Sequence, residues 1–318
     1  MKMVVMDGFS ENPGDLSWAG LAALGELTVY DRTPPAQRAE RLRGVEVAIT
    51  NKTVFDRALM ESCDSLRYIG ILATGYNIVD VEAARERGIT VCNAPGYSTM
   101  SVAQLAVGFL LEIASHIGEH SRAVHEGKWT QNPDFSFWSY PLIELAGKTL
   151  GILGLGAIGQ SVAKIAQALG MEVIAYRRSG APGTVENGVR LVTEEELFAQ
   201  SEFLTLHCPL NDESAGIINE KNIGKMRDGA SVINTARGGC VVPADVRAAL
   251  DAGKLAWFAA DVSEKEPIPA DDPILGSPRA ILTPHLAWAT LEARTRLMDI
   301  TVENLRAYLD GKPQNVVN

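Results

Sequence analysis

The chain has 318 residues, of which 46% are hydrophobic and 21% charged, a composition typical of a globular enzyme with one large or two ordinary α/β domains. Its 29 basic and 39 acidic residues give a formal net charge of −10, which argues against nucleic acid or an anionic membrane as a partner. No segment approaches the ~20 apolar residues of a membrane span, and four scattered cysteines favour reduced thiols in a cytoplasmic protein.

Strand-like apolar runs alternate with helix-period segments along the chain, which predicts the α/β class with parallel sheets and helices on both faces. One set of strands is predicted at 3–6, 27–30, 45–50, 68–72 and 89–92. A second set is predicted at 149–153, 171–176, 203–207, 230–234, 257–261 and 280–283. Between the sets lie a helical stretch, 101–127, and an aromatic segment, 129–141, and the last helix is predicted at 291–309.

The glycine motif at 154–159 follows the apolar run 149–153 and opens a helix-period segment that stops at Gly170. In such a strand-turn-helix, Gly154 permits the tight turn, Gly156 lets the backbone approach a pyrophosphate, and Gly159 lets the helix pack close to the strand. The first helical residues, Ala157 and Ile158, offer unpaired N–H groups to phosphate. The motif therefore predicts a dinucleotide site.

The end of the next strand, 171–176, is expected to choose the dinucleotide, because an NAD site normally carries an acidic residue there for the ribose 2′-hydroxyl. This chain has Arg177, Arg178 and Ser179 instead. Two guanidinium groups and a hydroxyl suit a 2′-phosphate, so the sequence predicts NADP(H) in preference to NAD(H), with NAD(H) still possible. The alternative is that these arginines only solvate a loop.

Five histidines limit the choice of an acid or base. His116 and His120 have the i, i+4 spacing of metal ligands, but no third ligand accompanies them, so no metal site is expected. His207 closes a predicted strand and is interpreted as structural or cofactor-lining. His285 follows the strand 280–283, at the edge of a parallel sheet where ligands bind.

Two other strand ends are expected to meet His285 at that edge. They carry Arg237 in one loop and Glu266 in another. Reduction of a ketone needs a proton donor, which a protonated His285 supplies, and a neighbouring carboxylate such as Glu266 favours the imidazolium form and raises the pKa. Arg237 can bind a substrate carboxylate with its planar fork and polarise the carbonyl. These three residues are the predicted catalytic set.

A family resemblance rests on four parts of the chain: the glycine motif, the segments 234–239 and 261–267, and the sequence Thr283-Pro284-His285. These parts resemble the D-isomer-specific 2-hydroxyacid dehydrogenase family, and the resemblance extends over essentially the whole chain. The resemblance implies two doubly wound parallel-sheet domains with the active site in the cleft between them. Residues 1–98 and 289–318 would form the substrate-binding domain, and 99–288 the dinucleotide-binding domain with a dimerisation region at 99–145. Further cofactor contacts implied by the family are Cys208, Pro209, Thr235, Ala236, Asp261 and His285 itself.

Segments 73–80, 93–99 and 137–142 resemble the glycerate dehydrogenase and hydroxypyruvate/glyoxylate reductase branch. This implies a homodimer that reduces hydroxypyruvate and glyoxylate to D-glycerate and glycolate. The NADPH preference predicted from Arg177 and Arg178 departs from the NAD-using majority of the family. The substrate carboxylate would lie on the backbone of the turn at Ala73, Thr74 and Gly75, which can form an anion nest but can also be an ordinary turn. Other substrate-binding residues implied by the resemblance are Asn51, Lys52, Arg237, His285 and Trp138, the last as a contact to the partner subunit's active site or as packing alone.

Three other functions remain open from the sequence. D-3-phosphoglycerate dehydrogenase is the nearest, although 73–77 holds no arginine for a phosphate. Formate dehydrogenase is disfavoured because it resembles this family but typically lacks the carboxylate partner that Glu266 supplies. A dinucleotide-sensing protein of the corepressor type would bind cofactor tightly without turnover.

Overall fold

The computed structural model describes residues 1–318 and divides the chain into two compact units. The first unit comprises Met1–Ser98 and Trp288–Asn318, and the second comprises Thr99–Ala287. The predicted boundaries of 98/99 and 288/289 lie within one residue of this division.

The first unit contains a five-stranded parallel sheet of order β2-β1-β3-β4-β5. Its strands are β1 (Lys2–Val5), β2 (Glu26–Val29), β3 (Val47–Thr50), β4 (Tyr68–Ile71) and β5 (Thr90–Cys92). Its helices are α1 (Ala19–Ala22), α2 (Arg38–Arg41), α3 (Arg57–Glu61), α4 (Val81–Glu86) and the C-terminal α11 (Leu291–Leu309). The chain reverses its direction of winding between β1 and β3, and such a switch point is where open α/β sheets bind ligands.

The second unit contains an eight-stranded sheet of order β13-β12-β11-β10-β6-β7-β9-β8, parallel except for the β8–β9 hairpin. Its strands are β6 (Thr149–Leu153), β7 (Glu172–Tyr176), β8 (Val185–Glu186), β9 (Val189–Leu191), β10 (Phe203–Leu206), β11 (Ala230–Asn234), β12 (Leu255–Ala260) and β13 (Ala280–Leu282). Its helices are α5 (Thr99–Ser115), α6 (Ile117–His125), α7 (Ala157–Ala168), α8 (Glu194–Gln200), α9 (Glu220–Lys225) and α10 (Pro243–Asp251). The switch point lies between β6 and β10.

Both sheets are buried on both faces, which explains why their strands are apolar runs without alternation. In β1, Met3 and Val5 pack into one core layer while Val4 belongs to the other. In β10, Phe203 and Leu204 divide between two layers in the same way. The predicted doubly wound α/β fold is confirmed in both units.

The helical stretch predicted at 101–127 is not continuous. Helix α5 ends at Ser115, His116 adopts the left-handed conformation with φ +49°, and α6 starts at Ile117 with its axis bent by 59°. The buried His116 ring packs 4.8 Å from the Tyr140 and Trp257 rings, and these contacts offset the backbone strain of a left-handed non-glycine residue. No single helix is long and apolar enough to span a membrane; α5 and α6 reach that length and composition only when taken together.

Candidate active site

The glycine turn lies at the β6/β10 switch point of the second unit. Gly154 has φ +100°, and a Cβ built there would lie 2.7 Å from the Cys208 backbone nitrogen, so the turn tolerates only glycine. A Cβ on Gly159 would lie 2.4 Å from the Gly154 carbonyl oxygen, which shows how closely α7 packs against the turn. A Cβ on Gly156 would meet nothing within 4 Å. The open space above Gly156 is where a pyrophosphate could approach the backbone.

Helix α7 begins directly after Gly156, and its first hydrogen bond to that carbonyl comes from Gln160. The N–H groups of Ala157 and Ile158 therefore lack intrahelical acceptors and carry the positive end of the helix dipole. Other polar atoms around the carboxyl edge of the sheet are buried without a partner, namely Thr235 Oγ1, His207 Nδ1 and Arg177 Nε. Buried polar atoms normally have partners, so these orphaned atoms and the space at Gly156 fit a dinucleotide.

His207 and Cys208 line this turn but supply no acid. Burial lowers the pKa of His207 to about 3, so its imidazole is neutral near pH 7 and shares a hydrogen bond of 3.0 Å with Thr205. The hydrogen bond with the Cys240 thiol raises the pKa of Cys208. Pro209 is exposed beside them, and Ala236 is buried next to Thr235.

The arginines after β7 are not free of partners. Arg177 Nη2 lies 2.5 Å from Glu186 Oε1 on β8, with both side chains 34% exposed. Arg178 lies 3.4 Å from Glu213, and both of those side chains are mostly exposed. Ser179 is exposed. Arg177 and Arg178 were predicted from the sequence, but Glu186 was not. Glu186 adds a carboxylate at the position expected to contact the ribose of the cofactor.

The ends of β11, β12 and β13 form consecutive loops at one edge of the sheet. The loop after β11 carries Arg237, whose side chain is exposed and donates to the Ala236 carbonyl at 2.7 Å. A Cβ on Gly238 would lie 2.0 Å from the Ser263 carbonyl carbon, so this loop is packed backbone to backbone against the 261–267 segment. Only glycine permits that approach, which brings the Arg237 and Glu266 loops together.

His285 and Glu266 are in direct contact. His285 Nδ1 lies 2.7 Å from Glu266 Oε2, with the side chains 31% and 36% exposed. With Nδ1–H donating to the carboxylate, Nε2 is the ring atom left for a reacting group. His285 has a left-handed backbone, φ +54°, an unusual conformation for a non-glycine residue.

The conformation around His285 is held by Asp261, a buried carboxylate at the end of β12. Its Oδ1 accepts from Thr283 Oγ1 and the Leu286 N–H, and its Oδ2 accepts from the Ala287 N–H at 2.8 Å. The resemblance implied that Asp261 orients the cofactor. In the structure its oxygens fix the 283–287 segment, which makes Asp261 a positioning residue for His285.

In the first unit, the turn after β4 presents unpaired backbone donors. The N–H groups of Ala73, Thr74 and Gly75 donate to no acceptor within the protein. The turn is fixed from outside, because Asn93 Nδ2 donates to the Thr74 carbonyl at 2.7 Å and Thr74 Oγ1 donates to the Ala94 carbonyl at 2.9 Å. Successive free N–H groups on a fixed turn can bind an anion such as a carboxylate.

Asp7 follows β1 and organises the loop after β3, and it is not among the residues predicted from the sequence. Its carboxylate accepts from the backbone N–H groups of Asn51, Lys52 and Thr53 at 2.6–2.8 Å. A cavity of about 480 Å³ lies at this β1/β3 switch point. It is lined by Asp7, Arg32, Thr33, Pro35, Arg38, Lys52, Thr53, Val54 and Asp56. Asp directly after a buried apolar strand is the signal that could have found Asp7.

The Asn51 side chain, expected near the substrate, is held by two groups of the protein. Both hydrogens of its side-chain amide are used, one by the Glu11 carboxyl and one by the Leu72 carbonyl at 2.6 Å. Asn51 therefore has no side-chain N–H left to hold a substrate carboxylate. The Lys52 side chain is exposed and forms no ion pair.

The remaining expected residues lie outside these clusters. Trp138 is 65% exposed, on the 129–142 segment of the second unit. His116 and His120 do not form a metal site: His120 Nδ1 donates to the His116 carbonyl, and its Nε2 accepts from the Ser139 N–H. No group of three or more His, Cys, Asp or Glu side chains is placed to hold a metal ion.

Comparison with known proteins gives the family. Residues 107–287 match the model for the NAD binding domain of the D-isomer specific 2-hydroxyacid dehydrogenases. A hydroxypyruvate reductase of Blautia hydrogenotrophica is 51% identical, with 100% of both chains covered. The chain belongs to the D-isomer-specific 2-hydroxyacid dehydrogenase family. A glycerate dehydrogenase of Methylorubrum extorquens is 38% identical over 92% of each chain, which supports the glycerate and hydroxypyruvate branch.

The solved structure of an acyclic imino acid reductase in complex with NADPH and D-Arg superposes with a TM-score of 0.87 at 28% identity, covering 100% of both chains. The protein is thus an oxidoreductase of this family, and its cofactor is a nicotinamide dinucleotide. The relatives include both a domain described for NAD and an enzyme bound to NADPH, so the choice between the two dinucleotides depends on the residues of this chain.

Proposed function

We propose that the protein reduces short 2-oxoacids, foremost hydroxypyruvate and glyoxylate, to D-glycerate and glycolate, with NADPH as the preferred hydride donor. The observation that carries the proposal is the 2.7 Å contact between His285 and Glu266 in the cofactor-binding unit. The 51% identity to a hydroxypyruvate reductase supports the choice of substrate.

A nicotinamide bound in the second unit would supply a hydride to the carbonyl carbon. His285 Nε2 gives its proton to the carbonyl oxygen. The ketone of hydroxypyruvate then becomes a secondary alcohol, and the aldehyde of glyoxylate becomes a primary alcohol. The Glu266 carboxylate accepts from Nδ1–H and stabilises the imidazolium before transfer. Asp261 keeps the 283–287 backbone in place, and Arg237 polarises the carbonyl and binds the carboxylate of the substrate. The N–H groups at 73–75 are a second group of donors that would bind a substrate carboxylate.

The preference for NADPH is proposed on the two guanidinium groups after β7. A charge-assisted hydrogen bond contributes about 1.5–3 kcal/mol, or roughly 10- to 100-fold in affinity. Arg177 has to exchange its bond to Glu186 for one to the 2′-phosphate, which reduces the net gain. Arg177→Asp is expected to reverse the preference, and an unchanged NADPH/NADH ratio in that variant would remove the hypothesis.

We also propose a homodimer that uses the 99–145 region. Its surface exposes large apolar side chains, with Phe135 91%, Trp138 65% and Ile117 61% accessible. Exposed apolar patches of this kind mark interaction sites. Light scattering at micromolar concentration should give the mass of two chains, and a mass of one chain contradicts this part of the proposal.

The test of the catalytic proposal is the initial rate of NADPH oxidation, and separately of NADH oxidation, with hydroxypyruvate, glyoxylate and pyruvate. We expect the fastest turnover with NADPH and hydroxypyruvate. Activity with NADH alone would retain the reaction and reject the cofactor preference. Tight dinucleotide binding without turnover of any 2-oxoacid would favour a sensor and reject the proposed activity.

A further inference from the structure

Glu11 is a carboxyl group buried in the first unit, on the turn that follows β1. Its side chain is fully buried, with Oε1 accepting from Asn51 Nδ2 and Oε2 without any partner. Burying an ionised carboxylate with so few donors is costly, so the group is held as a neutral acid. Burial, reinforced by the charge of Asp7, raises the pKa of Glu11 to about 8.

The charged groups around Glu11 do not compensate an ionised form. Arg294 of α11 lowers the pKa of Glu11, but its N–H groups are used by the Asp15 carboxylate at 2.6 and 2.8 Å and by the Glu11 backbone carbonyl. Lys52, after β3, also lowers it, but its side chain is exposed to solvent. Asp7 is a second carboxylate on the same turn. Ionisation of Glu11 therefore adds an uncompensated negative charge beside the loop after β3.

Asn51 connects Glu11 to the turn that is proposed to bind the substrate. Its amide nitrogen donates to Glu11 and to the carbonyl of Leu72, which immediately precedes Ala73. A backbone carbonyl can only accept, so the orientation of the amide is determined by chemistry. Oδ1 accepts no hydrogen bond within the protein. Asn51 thus offers an acceptor at the carboxyl end of β3, which suits a hydroxyl group and repels a carboxylate.

We propose that Glu11 is a positioning residue whose Oε1 fixes Asn51, so that Asn51 Oδ1 accepts the hydroxyl next to the ketone of hydroxypyruvate. This inference rests on the proposed function and names its specificity: a hydroxylated 2-oxoacid is preferred over pyruvate, which lacks that hydroxyl. Loss of the proton from Glu11 places a second carboxylate beside Asp7 and weakens the binding of an anionic substrate.

The expected effect on KM follows from the fraction of protein in the competent form. At pH 9, one unit above a pKa of about 8, roughly one molecule in ten retains the proton on Glu11. The apparent affinity decreases by that fraction, so KM for hydroxypyruvate should rise about tenfold between pH 7 and pH 9. At each pH, kcat should be nearly the same in the wild type and in Glu11→Gln, because Glu11 does not contact the reacting atoms.

The test compares Glu11→Gln with the wild-type protein in KM and kcat profiles from pH 6.5 to 9.5. Glutamine reproduces the neutral acid in shape and cannot ionise, so we expect its KM to stay flat where the wild-type KM rises. Glu61→Gln, an exposed glutamate at the end of α3, is the matched control and should follow the wild type. If the rise in KM persists unchanged in Glu11→Gln, the positioning role is overturned.

Specificity is tested separately with Asn51→Leu, which keeps the volume and removes the acceptor. The ratio of kcat/KM for hydroxypyruvate over pyruvate should fall by about fivefold or more, as expected for one lost hydrogen bond. An unchanged ratio overturns the selection of the hydroxyl by Asn51.

If the wild type reduces neither substrate, the proposed function fails. The ionisation of Glu11 is then decided by urea unfolding, where Glu11→Gln should gain stability over the wild type between pH 5 and 9, and equal stability across that range overturns it.

Discussion

Replacement of Glu186 by glutamine is the most direct test of how this protein distinguishes NADPH from NADH at the ribose. Glu186 Oε1 lies 2.5 Å from Arg177 Nη2, and the Arg177 Nε is buried without a partner. A 2′-phosphate bound to Arg177 must compete with this carboxylate and lie near its negative charge. Glu186→Gln removes the charge and keeps the size, so the variant should bind NADPH more tightly.

The magnitude follows from the exposure of the pair. Both side chains are about one-third exposed, so the ion pair itself contributes only about 0.2–1 kcal/mol. Two unit charges about 4 Å apart repel by about 1 kcal/mol in water and about 4 kcal/mol near a protein surface. Taking a value between these limits for this partly exposed site, the gain is about 1.5–3 kcal/mol, or roughly 10- to 150-fold in kcat/KM for NADPH.

The assay is the ratio of kcat/KM for NADPH to that for NADH with hydroxypyruvate at saturation. NADH has no 2′-phosphate, so its constants should change by less than about threefold, since glutamine still accepts from a hydroxyl. The control is Glu213→Gln, whose partner Arg178 is 3.4 Å away and mostly exposed, and which should change the ratio by less than about twofold. A Glu186→Gln variant with the wild-type ratio would refute the argument that Arg177 and Glu186 together set the choice of cofactor.

Three further substitutions test the second unit. His285→Ala should lower kcat by about 100- to 10,000-fold with little change in cofactor binding, and near-normal turnover would exclude His285 as the proton donor. Gly156→Val should raise KM for the dinucleotide at least tenfold, because the valine side chain enters the space proposed for the pyrophosphate. The melting temperature should stay close to that of the wild type, because no protein atom occupies that space. An unchanged KM would place the phosphates elsewhere. Asp261→Asn replaces one carboxylate oxygen by an NH2 group, so that either the Leu286 or the Ala287 N–H loses its acceptor. The variant should lose about 1–3 kcal/mol of stability and have a lower kcat, measured by urea unfolding and steady-state rates; an equally stable, equally active variant would show that Asp261 does not position His285.

The strands and the family could be predicted from the sequence because their signals are local. Apolar runs such as 203–207 and 230–234 match observed strands to within a residue, since a parallel strand buried on both faces must be continuously apolar. The signal of the glycine motif is equally local, because the need for glycine arises within the turn itself or from the neighbouring strand. The catalytic set was predicted from three strand ends and agreed with the family resemblance, and its His285–Glu266 contact is seen in the structure.

Other features depended on long-range contacts and could not be predicted. The residue with the left-handed backbone at the break is His116, and the nearby Gly118 lies inside α6. The break is stabilised by the rings of Tyr140 and Trp257, which are distant in sequence. The β8–β9 hairpin consists of strands of two and three residues, too short for a periodic pattern. It nevertheless delivers Glu186 to Arg177, which changes the expected environment of the cofactor ribose.

Each unit contains an aspartate at a strand end whose carboxylate accepts hydrogen bonds from the backbone of a neighbouring loop. These aspartates hold a site in place, whereas other residues act in it. Asp7 follows the buried strand β1 and Asp261 ends the buried strand β12, and each accepts from backbone N–H groups of a loop belonging to another strand. Carboxylates whose oxygens are already occupied in this way have little capacity left for a ligand, so their role is to fix the loop that carries Lys52 or His285.

The atoms available for binding and chemistry are those with unused capacity. They include the N–H groups at 73–75, Thr235 Oγ1 and His285 Nε2, all of which lack a partner within the protein. Since buried polar groups are otherwise almost always satisfied, an inventory of unused donors and acceptors locates a functional site more directly than the residue types in the sequence. By that criterion Asn51 offers an acceptor through Oδ1, and Asp261 supports the catalytic histidine through the backbone at 286 and 287.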